Sequence, residues 1–470
     1  MLAATLTAPV AAQTSAVPAS GVVAELASSW DEASRLALRS ALADRARHGL
    51  DRVVFLEEGS AESDDALRAA ALRYAGALGR GLLDPTHLHD PYSLPRPIAD
   101  LAKQLDNALT EGTLREWLAA LAPRDEEYAR LSLRYLELRA LPRDDGDPGI
   151  GSGLIEVGDA DPRVSAIVEQ LVMGEYLPPD AAPDTESPPI YTDRVANAVK
   201  ALQRDYGIAA DRIVGPATLR VLNLGAGDKA RAIAVALERR RWLEREPPAT
   251  RIDVNTAASL LHYYREGVLV DTRRVVAGKP GTETPPLQSP IYRLVANPTW
   301  TVPKSIQHGE LAGVGAAYLQ RHNMELRGGW IVQRSGTDNA LGLVKFDMHN
   351  EHAIYLHDTS APELFERSHR HRSHGCVRVE DALGFARMLA EDQGITEAWE
   401  AARGGGEQQF VQLSTEIPVR LIYRNVFIDK DGKVAFRTDP YGWNGPIAKA
   451  LGFAERADTK LRSDETDIAP

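Results

Sequence analysis

The stretch HRHRSHGCVRV, residues 369–379, gathers the side chains best suited to chemistry. It holds Cys376, the one cysteine in 470 residues, with His369, His371 and His374 just ahead of it. Three chemistries are open to such a cluster: a metal site, a redox switch or a nucleophile. Zinc accepts mixed histidine and cysteine ligands, but its common structural sites pair C-x-x-C with a distant second pair. Here Arg370 and Arg372 alternate with the histidines, and cations beside a dication are unfavourable. We expect no metal and no other cofactor. A redox couple needs a second thiol to resolve the oxidised first one, and the chain has none.

A nucleophile fits better. Cysteine attacks as thiolate, which needs positive charge, a histidine base or N–H donors close by. Arg372, Arg378 and the histidines supply an electropositive setting. Gly375 lets the backbone approach a carbonyl, so the N–H groups of Gly375 and Cys376 can face a developing oxyanion. The base can come from a separate strand, and His357, closing AIYLH (353–357), is placed to supply it. The competing reading of a lone cysteine is a small buried hydrophobe.

The elements that must position these groups follow from periodicity and punctuation. A chain this long exceeds one ordinary core, so two to four domains are expected. From Trp30 to Leu141 apolar residues recur at helical spacing, as at Ile98, Leu101, Leu105 and Leu109, and at Leu114, Trp117, Leu118 and Leu121. PRDDGDPGIGSG (142–153) is a linker by composition. Val164, Ile167, Val168 and Leu171 begin a small bundle. Val195, Ala198, Val199, Leu202 and Tyr206 continue it, with Gly207 at the C-cap, and Gly215-Pro216 opens its third helix. Residues 227–243 read as one more helix, stopped by Pro247-Pro248.

Beyond that point the texture becomes β. Leu260–Tyr264 and Val268–Val276 flank Arg265-Glu266-Gly267 as a hairpin. Strand-like runs continue at 292–303, 328–333, 341–348, 353–357, 418–429 and 433–437, and a helix follows the cysteine at 380–394. The expected fold is therefore multi-domain α+β: a helical N-terminal scaffold (26–145), a small helical bundle (155–226), a connecting helix (227–249), a mainly β catalytic domain (250–445) and a C-terminal tail (446–470). Residues 1–25 are apolar and rich in small residues, and Val10-Ala11-Ala12 resembles a signal-peptidase site. They read either as a signal-peptide remnant or as a disordered terminus. The formal net charge of −12 argues against nucleic acid as a partner, and no apolar stretch is long enough for a spanning helix.

Two resemblances add to this reading. VANAVKALQRDYGIAADRIVGPATLRVLN (195–223) resembles the peptidoglycan-binding-like three-helix module, with Asp211-Arg212 where that module usually has Asp-Gly. His357-Asp358-Thr359 followed by Ser373-His374-Gly375-Cys376-Val377-Arg378 resembles the L,D-transpeptidase signature. NPTWTVPKSI (297–306), QRSGTDNALGLVKFDMHN (333–350) and VVAGKPGTETP (275–285) are similar to the larger, multi-domain YcbB-type branch of that family.

The resemblance implies an exported enzyme of the periplasm or cell envelope, without a cofactor, acting on peptidoglycan stem peptides. Cys376 would be the nucleophile and His357 the base, oriented by the backbone carbonyl of Asp358, with Gly375 and Cys376 forming the oxyanion hole. Arg378 would meet a substrate carboxylate or serve as a structural ion-pair partner, Tyr355 would pack at the same subsite, and Ser373 would belong to it. His374 would tune the thiolate or anchor its loop, Asn339 and Gly342 would shape the loop over the donor site, and His369 and His371 would be solvated. Lipoprotein tethering, cross-link hydrolysis and non-catalytic wall binding remain open alternatives, as does the choice among glycan, cell-wall synthases and nothing as partner of the helical domains.

Overall fold

Capping side chains start most of the first helices in the computed structural model, which describes residues 30–57, 63–97, 99–141, 149–181 and 188–454. Asp31 begins α1 (Glu32–Ala43), Ser63 α2 (Asp64–Arg80), Asp100 α3 (Leu101–Glu111) and Asp125 α5 (Glu126–Ala140), each accepting from a backbone N–H of the first turn. Between them, α4 (Leu114–Leu121) lacks such a cap but buries Leu114 and Leu118. The segment 1–25, Ile98, most of the linker and residues 455–470 lie outside the described residues.

Three further helices build a separate small core: α6 (Val164–Met173), α7 (Asp193–Tyr206) and α8 (Pro216–Leu222) bury Ile167, Leu171, Val199, Leu202 and Leu219 together. Gly207 takes the left-handed conformation that ends α7. Arg212 is also left-handed (φ 71°), a conformation that disfavours a side chain with a Cβ. It is held there by its own N–H donating to Gln203 Oε1 at 3.0 Å and its carbonyl accepting from the Tyr191 hydroxyl at 2.9 Å.

The next helix, α9 (Ala226–Trp242), is no connector. It is buried on nearly all sides and forms the centre of the N-terminal helical core. Its apolar residues Ile233, Val235 and Leu237 pack among α1–α5. Its polar ones form a buried network. Glu238 accepts from Arg241 at 2.6 Å, Trp242 Nε1 at 3.0 Å and the Leu83 N–H at 2.9 Å, while Arg241 also reaches the Tyr128 hydroxyl and the His48 carbonyl.

The β region begins with β1 (Arg251–Asn255), β2 (Leu260–Arg265), β3 (Val268–Gly278) and β4 (Leu287–Ala296). A segment rich in short elements follows: β5 (Trp300–Thr301), α10 (Lys304–His308), α11 (Ala316–Arg321), β6 (Met324–Arg327) and β7 (Trp330–Gln333). Then come β8 (Val344–Met348), β9 (Leu356–His357), β10 (His371–Ser373), β11 (Val377–Val379), α12 (Ala382–Asp392), α13 (Thr396–Gly404) and β12 (Gln409–Ile422). Strands β3, β2, β1, β12, β4, β8, β9 and β11 pair in that order, and β11 pairs with β3 to close an eight-stranded barrel. Strand β10 adds to β3 outside the ring. Leu356, Val377, Phe346 and Ile252 share its core with Phe385 and Leu389 of α12. Strands β5–β7 form their own small sheet and core outside the barrel.

The chain then returns to its beginning. The hairpin β13 (Val426–Ile428) and β14 (Val434–Phe436) and the helix α14 (Asn444–Ala450) place Val426, Ile447, Ala448 and Leu451 in the helical core, not in the barrel. The expected tail from 446 is therefore helical and packed as far as Leu451, because its apolar residues meet α9. Removing one partner of a fully buried ion pair leaves an uncompensated charge, so Glu238→Ala should destabilise the chain by about 3–5 kcal/mol, read as a lowered urea midpoint of the helical transition.

Candidate active site

Strand pairing decides which side chains meet. Strands β9 and β11 run parallel, with Leu356 opposite Val377 and His357 opposite Arg378. Leu356 and Val377 point into the barrel core, so alternation turns Tyr355, His357, Cys376 and Arg378 to the outer face. On the other side of β9, Lys345 of β8 stands opposite His357. The Tyr355 and His357 rings meet edge to face at 5.7 Å. Lys345 Nζ lies 4.6 Å from the Tyr355 ring centroid and 2.7 Å from Asp347 Oδ1. The small core of β5–β7 and α10, built on Trp300, Val302, Ile306 and Ile331, packs on Tyr355 and covers this face. Cys376 is 6% exposed, and His357 and Arg378 are fully buried.

The turn before the thiol is tied at several points. The Ser373 hydroxyl donates to the Cys376 carbonyl at 2.5 Å and accepts from the Gly375 N–H at 3.2 Å. The Ser373 carbonyl accepts from Thr282 Oγ1 at 3.1 Å and the Lys279 N–H at 2.8 Å, and the Gly375 carbonyl accepts from Thr284 Oγ1 at 2.8 Å. Gly375 itself has φ +116°, which a side chain with a Cβ rarely adopts. Gly278 must also lack a Cβ, since one would lie 2.2 Å from the Thr282 carbonyl oxygen.

Burial pushes the Cys376 thiol up to about 11. The backbone N–H and hydroxyl of Tyr355 act against that rise as donors to the sulfur, and the charges of Lys345 and Arg378 do so more weakly. The resting group is a neutral thiol, and it donates to the Ala353 carbonyl at 3.5 Å. The nearest positive charges acting on the sulfur are those of Lys345 and Arg378. Lys345 was not singled out from the sequence. Its signal was its place in LGLVKFDM, facing outward on the strand beside AIYLH.

Ser373, Asn339, Gly342 and His374 make contacts within the protein framework. Ser373 is fully buried, and the bonds its hydroxyl makes lie within the turn. Asn339 is buried, donating to the Arg334 carbonyl at 2.8 Å and the Pro298 carbonyl at 3.1 Å, which ties the base of the covering segment. Gly342 (φ +62°) admits the Asp358 carboxylate, which would lie 2.4 Å from a Cβ there. That carboxylate accepts from the Leu343 N–H at 2.8 Å, and burial raises its pKa. His374 Nε2 lies 2.8 Å from Glu310 Oε1, an anchor between the thiol's turn and the covering segment. Lys279 stands 3.8 Å from the same carboxylate.

The expectation that His369 and His371 are solvated is overturned. His371 pairs with Ala277 of β3, which turns its ring inward to contact the Thr256 carbonyl through Nε2 at 2.8 Å. The His369 ring lies 5.2 Å from it. Burial lowers His371 to about 3 and His369 to about 4. No group of three or more metal-ligating side chains occurs among the described residues.

Comparison with known proteins identifies two domains. Residues 249–398 match the L,D-transpeptidase catalytic domain, and residues 21–133 match a Scaffold domain. The chain thus carries an L,D-transpeptidase catalytic domain behind a helical Scaffold domain. A Haemophilus influenzae protein named "Putative L,D-transpeptidase" is 30% identical over 220 residues, 42% of this chain and 45% of that protein. The chain therefore matches less than half of that relative's length. Among solved structures, an L,D-transpeptidase from Stackebrandtia nassauensis covers 59% of this chain and 97% of its own at 15% identity and a TM-score of 0.25. One from Mycobacterium smegmatis covers 37% and 58% at 12% identity and a TM-score of 0.21.

Two outcomes follow from the burial of these groups. Thiolate content rises about tenfold per pH unit below the thiol's pKa, so iodoacetamide alkylation of Cys376 should climb from pH 7 and level only near 11. Tyr355→Phe, lacking the hydroxyl donor, should move that profile upward, and a plateau below pH 8 would contradict the burial argument. His371 has a depressed folded pKa, so its contribution to stability is complete above its unfolded value of about 6.5 and is lost as pH falls toward 3. His371→Asn should flatten the fall in melting temperature across that window.

Proposed function

We propose that the protein is a cysteine L,D-transpeptidase that cross-links peptidoglycan in the periplasm or cell envelope. The observation that carries this reading is the position of the one thiol: at the head of β11, on the same barrel face as the imidazole of the adjacent strand, beneath a covering segment. With a thiol pKa near 11, only about one molecule in ten thousand is ionised at pH 7, so deprotonation is coupled to attack.

His357 takes the Sγ proton as sulfur bonds to the carbonyl carbon of the third residue in a tetrapeptide stem. The oxyanion that forms is held by the Cys376 N–H, for which no described residue is an acceptor. The Gly375 N–H is engaged by Ser373 Oγ, so it joins only if that bond opens. The carbon–nitrogen bond to D-alanine then breaks, the amine leaving with the proton from His357, and a thioester remains on Cys376. The amine of a neighbouring stem peptide attacks this thioester, forms the 3→3 amide and returns the sulfur, which regains its proton through His357. Lys345 and Arg378 are the cations placed to meet donor carboxylate. The three-helix module is read as peptidoglycan-binding-like on its sequence resemblance.

Purified protein incubated with tetrapeptide muropeptides should give, by mass, dimers lighter by one D-alanine, and products that stay monomeric would refute cross-linking. Cys376→Ala should abolish the reaction, and His357→Gln should slow it about 10²–10⁴-fold with the melting temperature retained. A carbapenem should add covalently to Cys376, and an unchanged intact mass would count against the site.

A further inference from the structure

Away from the thiol, the seam between the three-helix module and the rest of the chain is hollow. A cleft of about 520 Å³ there is walled by α5, α6, α7, α8, α9 and the β13–β14 hairpin. Small-molecule sites commonly span about 300–1,000 Å³. Lys229, in the first turn of α9, lines both this cleft and a neighbouring one of about 250 Å³. The Lys229 ammonium makes no hydrogen bond or ion pair with any described residue. Burial, and then the nearby charge of Arg134, lower its pKa.

The carboxylates around the cleft are already engaged. Glu175 pairs with Lys433, and Asp205 accepts from the Tyr176 hydroxyl at 3.0 Å. Asp429 closes a turn by accepting from the N–H groups of Asp431 and Lys433 at 2.9 and 2.8 Å. Among the other cations, Arg134 holds Glu137 at 2.9 Å and Arg437 donates to the Asp205 carbonyl. Among the described residues Lys229 is thus a partly desolvated positive charge with no hydrogen-bonding partner, a state that costs free energy until an anion joins it. Beside it, Tyr206 and Phe436 are nearly parallel, inclined by 13° with centroids 6.4 Å apart, and offer an aromatic wall.

We propose that this cleft binds a small anionic ligand, a sugar or peptide fragment bearing one carboxylate or phosphate, with the anion on Lys229 and its apolar face on Tyr206 and Phe436. Because the walls come from the scaffold helices, the three-helix module and the C-terminal hairpin, an occupied cleft fastens the module in place. The assignment rests on the cleft's own chemistry and not on acyl transfer at Cys376.

The test is calorimetric titration of the full chain with inorganic phosphate, with N-acetylmuramic acid, and with N-acetylglucosamine, which lacks the 3-O-lactyl group that carries the carboxylate of the second. Saturable binding of phosphate alone assigns a phosphate-bearing ligand, and binding of N-acetylmuramic acid alone assigns a carboxylate sugar. Lys229→Met should weaken that binding at least tenfold, Lys229→Arg should retain it, and Cys376→Ala should leave it unchanged. Lys229→Gln gives the same comparison if the methionine variant does not fold. Failure of both anions to bind, equal binding of the neutral sugar, or full affinity without the Lys229 charge overturns the proposal. Each of those results is independent of whether Cys376 forms an acyl-enzyme.

Discussion

The parallel pairing of β9 with β11 is the constraint on which the site depends. A slip of one residue would turn His357 and Cys376 toward opposite faces, since side chains alternate along a strand. The register is held from inside, where Leu356 and Val377 are committed to the barrel core, and from outside, where Val377 donates its N–H to the Tyr355 carbonyl at 3.1 Å. A core that is wholly apolar on one side thus dictates which polar groups meet on the other.

The second constraint is burial. A covering segment with its own core excludes water from the thiol and raises its pKa, which suppresses adventitious reaction of the sulfur at neutral pH. The same dry setting strengthens every dipole aimed at the reacting centre. Glu310 links that segment to His374, the residue two before Cys376, so the cover and the turn before the thiol are mechanically joined.

The scaffold and the barrel are also less separable than a linear division suggests. Helix α9 is the centre of the helical core, and the hairpin and last described helix come back to it after the barrel is complete. Arg239 donates to Asn444 at 2.6 Å and Asn425 at 3.2 Å, polar ties across that junction. The barrel is thereby held at both of its chain ends.

Much was legible in the linear order because local rules suffice for it. Helical periodicity placed α3, α4, α6 and α7, Gly215-Pro216 and Pro247-Pro248 bounded α8 and α9, alternation and turn residues marked the hairpin of β2 and β3, and a lone cysteine after Ser-His-Gly pointed to a candidate nucleophile. What those rules could not reach were contacts between residues distant in the chain. The sequence by itself marked the element types, the candidate nucleophile and the candidate base. Tertiary structure alone decided that the Ser373 hydroxyl bonds within its own turn, that His371 is buried, that Lys345 stands opposite His357 and that residues after 424 return to the helices. Burial and partner choice are properties of packing between segments, and no spacing along the chain encodes them.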